Sequence, residues 1–79
     1  MEFPQYRIST NGKNLYRIES LKAFTELQYI GERVQSFHVK AESYPEMVRI
    51  RELLEMSNGA CQEMDGERFE RLIRDLPTG

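Results

Sequence analysis

A chain of 79 residues with a formal net charge of −2 is long enough for one small domain and does not suggest a general polyanion binder. Hydrophobic residues make up 39% of the chain and charged residues 30%, proportions that are typical of globular proteins and exclude a disordered chain. The single cysteine, Cys61, excludes an internal disulfide framework.

The sequence shows neither a membrane segment nor a targeting segment. No apolar run approaches the roughly 18 residues that a membrane-spanning helix needs, and the N-terminal MEFPQYRIST lacks the basic and apolar regions of a signal peptide. We therefore expect a cytoplasmic protein that folds as a single small α+β domain over residues 1–79.

The stretch ISTNGKNLYRI, residues 8–18, is typical of a β-hairpin turning at Asn11 and Gly12. A two-residue loop would pair Ile8 with Leu15 and Tyr6 with Arg17, which mixes apolar and charged faces. A three-residue loop with Gly12 as a left-handed bulge residue pairs Tyr6 with Tyr16. We favour the bulged turn, because it collects the apolar side chains on one face, namely Tyr6, Ile8, Tyr16 and Ile18.

The segment SLKAFTELQYIGERV, residues 20–34, has the spacing of an amphipathic helix. Ser20 is placed to cap it, and Gly31 is placed to end it in a left-handed conformation, so that Val34 could already belong to the next strand. The predicted apolar stripe consists of Ala23, Leu27, Ile30 and Val34, with Phe24 beside it.

Residues 36–41, SFHVKA, alternate as a strand does, with Phe37, Val39 and Ala41 on one face. The following residues 42–46 are predicted to form a loop, because Pro45 disfavours helix at Tyr44.

Residues 47–56, MVRIRELLEM, fit two structures. A helix would place Met47, Ile50, Leu53 and Leu54 on one side, in agreement with the helix propensities. A strand would place Val48, Ile50, Leu54 and Met56 on one face.

The C-terminal part is predicted as a short strand over residues 60–65, followed by a helix over residues 66–76. Asp65 is placed to cap this helix, and the pairs Glu67–Arg71 and Glu70–Arg74 have the spacing that stabilises exposed helices. Its apolar stripe consists of Phe69, Leu72, Ile73 and Leu76.

The landmarks YRISTNG, LYRIES, AFTELQYIG, FHVKA and EMDGERFERL resemble those of small bacterial proteins of the Bacteroides type, about as long as this chain. No established activity accompanies that resemblance, so it bears on the fold alone. It implies a strand, a tight turn and a second strand over residues 47–64, and so favours the strand for residues 47–56.

The predicted fold is therefore an α+β domain in the order ββαβββα, with both helices on one face of a mostly antiparallel sheet. A thin core and open sheet edges make a homodimer a reasonable expectation.

Few residues suggest chemistry. His38 and Cys61 could form a nucleophilic pair only through the fold, and an exposed strand histidine beside a buried thiol is the simpler interpretation. The carboxylates Glu63, Asp65 and Glu67 are better explained by helix capping and the helix dipole than by acid–base catalysis. We therefore predict no catalytic residue, no cofactor and no metal site.

A basic surface of Arg7, Lys13 and Arg17 near Tyr6 and Tyr16 could bind single-stranded nucleic acid, although the pI of about 5.4 makes nucleic acid an unfavoured partner. Arg49 and Arg51, if they lie on a strand, could pair with glutamates of a neighbouring strand or face an acidic partner, and a solvated sheet face is the simpler interpretation. The sequence favours a non-catalytic module that interacts with itself or with a protein partner, and the alternative is a weak nucleic-acid binder.

Overall fold

The computed structural model describes residues 1–77. Its elements are five strands, two α-helices and a single 3₁₀ turn at Ser57–Gly59. The strands are β1 (Gln5–Ser9), β2 (Asn14–Ser20), β3 (Ala23–Ile30), β4 (Arg33–Lys40) and β5 (Cys61–Glu63). The helices are α1 (Tyr44–Glu55) and α2 (Gly66–Arg74).

All strands belong to one antiparallel sheet in the order β4-β3-β2-β1-β5. The first four strands form a meander, and β5 returns after α1 to pair with β1. The α+β class is confirmed, but the predicted order ββαβββα is wrong, because a strand stands where the first helix was expected.

That strand is β3, which lies near the middle of the sheet between β2 and β4. Residues 24–27 are all buried, so the strand shows no simple alternation, and its apolar residues happen to match helical spacing. Phe24, Thr25 and Tyr29 fit a pleated surface better than a helix. Gly31 does adopt a positive φ of 63°, but it does so in the tight turn to β4 rather than at a helix end.

The first hairpin has the register of the two-residue loop, so the predicted bulged register is wrong. Ile8 pairs with Leu15 and Tyr6 with Arg17, and the turn between them spans residues 10–13. The predicted register assumed one buried face, whereas both faces of this sheet are covered. Tyr6 and Tyr16 can therefore lie on opposite faces without either being left in water.

The two helices cover opposite faces of the sheet, contrary to the prediction that they share one. α1 packs through Ile50 and Leu53 on a cluster that includes Tyr16, Ile18 and Phe24. α2 packs through Phe69 on Leu15 and Leu27. Adjacent residues such as Leu15 and Tyr16 point to opposite faces of a strand, so the two clusters lie on either side of the sheet. We call these sides the α1 face and the α2 face.

Residues 44–55 are helical, so the alternative kept open for residues 47–56 is confirmed and the strand is wrong. The helix begins earlier than expected, because Pro45 occupies its first turn, where no backbone donor is needed. Ser43 is the N-cap, and the Glu46 carboxylate accepts hydrogen bonds from the Ser43 amide at 3.2 Å and the Glu42 amide at 3.1 Å. The bond from the Glu42 amide, followed by a bond from the Ser43 hydroxyl at 3.0 Å, lowers the pKa of Glu46.

The prediction for α2 is confirmed in its position and its cap. The Asp65 side chain accepts a hydrogen bond from the Glu67 amide at 3.1 Å, and Phe69 is fully buried. The expected pairing of Glu70 within the helix is replaced by a contact with the sheet, described below. No helix of residues 1–77 is long and apolar enough to cross a membrane.

Candidate functional site

The structure separates the two residues that could have formed a nucleophilic pair. His38 lies on β4 and Cys61 on β5, which are the opposite edges of the sheet. Four strand spacings of about 4.8 Å put them roughly 19 Å apart. They also lie on opposite faces, because His38 contacts Thr25 on the α2 face while the Cys61 thiol contacts the Leu53 carbonyl of α1.

Cys61 has the surroundings of an unreactive thiol. It is 93% buried, since its relative exposure is 7%, and burial raises its pKa. A raised pKa reduces the thiolate fraction at neutral pH, and the thiolate is the nucleophile.

The arginines and tyrosines of the first hairpin do not form one basic surface. Arg7 is buried on the α1 face, where its guanidinium donates to the Leu53 carbonyl at 3.0 Å and the Leu54 carbonyl at 3.3 Å. Arg17 lies on the α2 face and is bound to two carboxylates. The predicted nucleic-acid surface of Arg7, Lys13 and Arg17 is thus divided between the two sides of the sheet.

Arg49 and Arg51 lie on α1 instead of a strand. The Arg49 guanidinium lies over the Tyr16 ring at 5.6 Å and donates to the Tyr16 hydroxyl at 3.0 Å. Burial, with a smaller contribution from Glu26, raises the pKa of Tyr16. Arg51 is exposed.

A polar network crosses the α2 face of the sheet, and sequence reasoning missed it. Arg17 on β2 donates to the Glu70 carboxylate of α2 at 2.8 Å and to Glu19 at 3.0 Å. The Tyr6 hydroxyl donates to the same Glu70 carboxylate at 2.5 Å, while Arg17 lies over the Phe69 ring at 5.3 Å. This network fixes α2 to strands β1 and β2.

The network shifts the titration of its members. The hydrogen bond from Tyr6, with help from Arg17, lowers the pKa of Glu70. Burial and the neighbouring Glu70 carboxylate raise the pKa of Tyr6 to about 12. Burial alone would lower the pKa of Arg17, but its hydrogen bonds to Glu70 and Glu19 raise it on balance.

The network continues to β4 through a β-bulge in β2. The register between β2 and β3 shifts between Ile18 and Ser20, so that Glu19 is the extra residue. Its carboxylate accepts from the Thr25 hydroxyl at 2.8 Å and lies 3.5 Å from His38 Nδ1. The sequence signal that could have suggested this network is the polar alternation of Arg17, Glu19 and Thr25, but it was hidden by the helix predicted over residues 20–34.

Edge strand β4 is the most accessible element of the sheet. It pairs with β3 along its whole length, and within residues 1–77 nothing pairs with its other side. Six of its eight residues are exposed. A groove of about 650 Å³ runs between β4 and the C-terminal end of α2, where Val34 faces Leu72 and Leu76.

The outward backbone groups of β4 can be identified from its register. The Ala41 amide donates inward to the Lys22 carbonyl at 2.7 Å, and hydrogen-bonded pairs alternate along an antiparallel ladder. Odd-numbered residues of β4 therefore bond to β3. The N–H and C=O groups that point away from the sheet belong to Val34, Ser36, His38 and Lys40.

Among residues 1–77 there is no group of three or more histidine, cysteine, aspartate or glutamate side chains that could hold a metal ion. Comparison with known proteins gives no match: no protein family, curated protein or solved structure is detectably similar to this chain.

Proposed function

We propose that the protein is a non-catalytic interaction module that binds an extended polypeptide, its own or a partner's, as an additional strand along the outer edge of β4. The observation that carries this proposal is an eight-residue strand that is hydrogen-bonded on one side only. A row of unpaired backbone donors and acceptors is a ready template for another strand. The opposite edge of the sheet, β5, has only three residues and offers far fewer backbone groups for pairing with another strand.

The side chains of β4 support the proposal. Charged side chains and prolines on an edge strand are common means of preventing another strand from pairing with it. Here the charged residues, Arg33 and Lys40, stand at the two ends, and the central Gln35, Ser36 and Phe37 carry no charge. Phe37 is 42% exposed, which is a large exposure for a phenylalanine on a strand.

The state of the ionisable groups supports a non-catalytic role. Arg17 is paired with Glu70 and Glu19, and the guanidinium of Arg7 is hydrogen-bonded to backbone carbonyls. Groups bound to one another in this way stabilise the fold and are not free for a substrate. With one buried thiol and no disulfide, the proposal places the protein in the cytoplasm.

A substitution at Ser36 tests the proposal. Ser36→Pro removes an outward N–H group, and proline is tolerated on an edge strand where that group faces solvent. Ser36→Ala is the matched control, because it keeps the N–H group. Circular dichroism checks that both variants keep the fold.

The assay measures self-association up to millimolar concentration and binding to a displayed library of random decapeptides. We expect at least one of these to occur with the wild type, to weaken about tenfold or more with Ser36→Pro, and to persist with Ser36→Ala. The absence of both kinds of binding in the wild type, or equal binding by Ser36→Pro, would refute strand addition.

The alternative, weak binding of single-stranded nucleic acid by the basic N-terminal half, remains a prediction. A titration with oligonucleotides at low salt tests it, because binding through phosphate contacts falls steeply as salt rises. No binding at low salt would remove this alternative.

A further inference from the structure

We infer that the strand added to β4 is the β4 strand of a second copy, paired antiparallel about Ser36, so that two sheets become one continuous sheet. This inference rests on the strand-addition function proposed above and names its partner. A two-fold axis through an antiparallel strand pair makes the same surface serve both copies.

The hydrogen-bond pattern limits the possible registers. Only the even-numbered residues of β4 point their backbone groups outward, so even-numbered residues of one copy must face even-numbered residues of the other. For a strand that runs from Arg33 to Lys40, two symmetric registers then give the longest overlap. One is centred on Ser36 and the other on Phe37.

Charge distinguishes the two registers. About Ser36, the Lys40 of each copy stands opposite Glu32, the turn residue that immediately precedes the other copy's β4, which gives two pairs of opposite charge. About Phe37, Lys40 stands opposite Val34 and Arg33 opposite Ala41, and no opposite charges meet. The register about Ser36 is therefore the complementary one.

The uncharged residues also fit this register. On the α1 face, Phe37 of each copy lies opposite Gln35 of the other copy. The two Phe37 residues are diagonal neighbours, and their aromatic rings are large enough to make contact. On the α2 face, Val34 of each copy lies opposite His38 of the other copy. The pairing covers the exposed Phe37 rings and leaves Arg33 and Lys40 at the rim, where charged groups are common in interfaces.

Disulfide trapping tests the register directly. Residues directly opposite each other in a hydrogen-bonded pair have Cα atoms about 5.5 Å apart, which suits a disulfide, whereas diagonal neighbours at about 7–8 Å do not. The variants are Ser36→Cys and Phe37→Cys, each combined with Cys61→Ala. The same two variants with Cys61 retained repeat the measurement if the added substitution prevents folding, because Cys61 is buried.

With oxidised glutathione, we expect Ser36→Cys to form a covalent dimer at least about tenfold faster than Phe37→Cys. Faster trapping of Phe37→Cys, or dimers trapped by neither variant, would overturn the register. If the register is overturned but the wild type still dimerises and Ser36→Pro does not, the strand-addition function is retained.

A charge exchange gives a second, independent measurement by sedimentation equilibrium. Glu32→Lys places two lysines opposite each other and should weaken association about tenfold, and the double variant Glu32→Lys/Lys40→Glu should restore it. Glu55→Lys, on the exposed side of α1, changes the net charge equally and should have little effect.

If the wild type stays monomeric to millimolar concentration yet binds peptides in a manner sensitive to Ser36→Pro, the second copy is refuted and the function is retained. If neither self-association nor peptide binding occurs, both the strand-addition function and the pairing with a second copy are refuted. Equal weakening by Glu32→Lys and Glu55→Lys would also contradict the pairing of Glu32 with Lys40.

Discussion

The guanidinium of Arg7, in the middle of β1, donates from Nε to the carbonyl oxygen of Leu53 at 3.0 Å, near the C-terminal end of α1. A second bond, from Nη2 to the Leu54 carbonyl at 3.3 Å, makes Arg7 a cap for this helix end. The last carbonyls of a helix have no partner within the helix, and a positive charge there is favourable. Arg7 thereby joins the α1 face of the sheet to the helix that covers it.

We expect Arg7→Met to destabilise the protein, because methionine keeps much of the apolar stem but removes the Arg7 donor from the Leu54 carbonyl and from the Leu53 carbonyl, which still accepts from the Met56 amide at 3.3 Å. Leaving one buried acceptor unsatisfied costs about 1–3 kcal/mol, so a loss of about 1–3 kcal/mol in the free energy of unfolding is expected. Urea denaturation measures it.

Arg7→Lys is the control for the charge, since it keeps the positive charge but loses the fork of donors that reaches two carbonyls. We expect Arg7→Lys to lower the free energy of unfolding by less than Arg7→Met does. An Arg7→Met variant as stable as the wild type would show that the carbonyls find other partners.

The Glu70 carboxylate makes stability depend on acid. Its pKa is lowered in the folded protein, so its contribution is present above the unfolded value near 4.5 and is lost as the pH falls through the lower folded value. Glu70→Gln should therefore be less stable than the wild type at pH 7, by about 0.5–1 kcal/mol after solvent screening, and the difference should shrink below about pH 4.

Urea unfolding of both proteins at pH 7 and pH 3 measures this difference. Glu67→Gln is the matched control, because it removes a carboxylate from the exposed side of the same helix. A Glu70→Gln deficit that is unchanged at pH 3 would count against the ion pair with Arg17.

Gly66 begins α2 against the ring of Tyr6. Alanine is normally the better helix residue by about 1 kcal/mol, but a Cβ at this position would lie 2.5 Å from Tyr6 Cε2. The ring cannot easily move, because its hydroxyl is bound to Glu70 and it packs at a tilt against the Phe69 ring, with 5.7 Å between the ring centroids. We expect Gly66→Ala to lower the thermal midpoint and to cost about 1–3 kcal/mol.

A double-mutant cycle separates the steric effect from the helix propensity. In a Tyr6→Ala background the same Gly66→Ala substitution should be neutral or stabilising, because the obstructing ring is absent. A loss of equal size in both backgrounds would attribute the effect to something other than Tyr6.

Cys61 should react slowly with iodoacetamide at neutral pH, because the thiol is buried and its pKa is raised. The comparison is with Lys13→Cys/Cys61→Ala, whose cysteine stands on an exposed turn. We expect the wild-type rate to be at least about a hundredfold lower and to approach the control rate in urea. Comparable rates in native buffer would reopen a role for the thiol as a nucleophile.

Local signals in the sequence predicted the elements whose stability is local. α2 has a continuous apolar stripe, an aspartate cap and a long polar side, and it was predicted almost residue for residue. The turn glycines Gly12 and Gly31 both have the positive φ that their positions indicated. The hydrophobic pattern of residues 47–56 fits a helix and a strand, and the resemblance favoured the strand. The hydrogen bonds that cap the helix, donated by the Glu42 and Ser43 amides to the Glu46 carboxylate, lie in a segment that was predicted as a loop.

The errors within the sheet share one physical cause, which is the burial of both faces of the sheet. A central strand such as β3 loses its alternation when both faces are covered, and the sequence then matches a helix equally well. The same assumption of one wet face placed Tyr6 and Tyr16 together and concealed the network of Arg17, Glu19 and Glu70. Which face receives which helix depends on contacts between distant residues, and hydrophobic spacing does not encode them.

The exchange rate of the Ser36 amide shows whether the outer edge of β4 pairs with a second copy. Hydrogen exchange is measured by NMR on the wild type at low micromolar and at millimolar concentration, with the Phe37 amide, which faces β3, as the internal reference. We expect the Ser36 amide to exchange quickly in dilute solution and at least about tenfold more slowly in concentrated solution, while the Phe37 amide stays protected in both. Fast exchange of Ser36 at both concentrations would contradict pairing of this edge with a second copy.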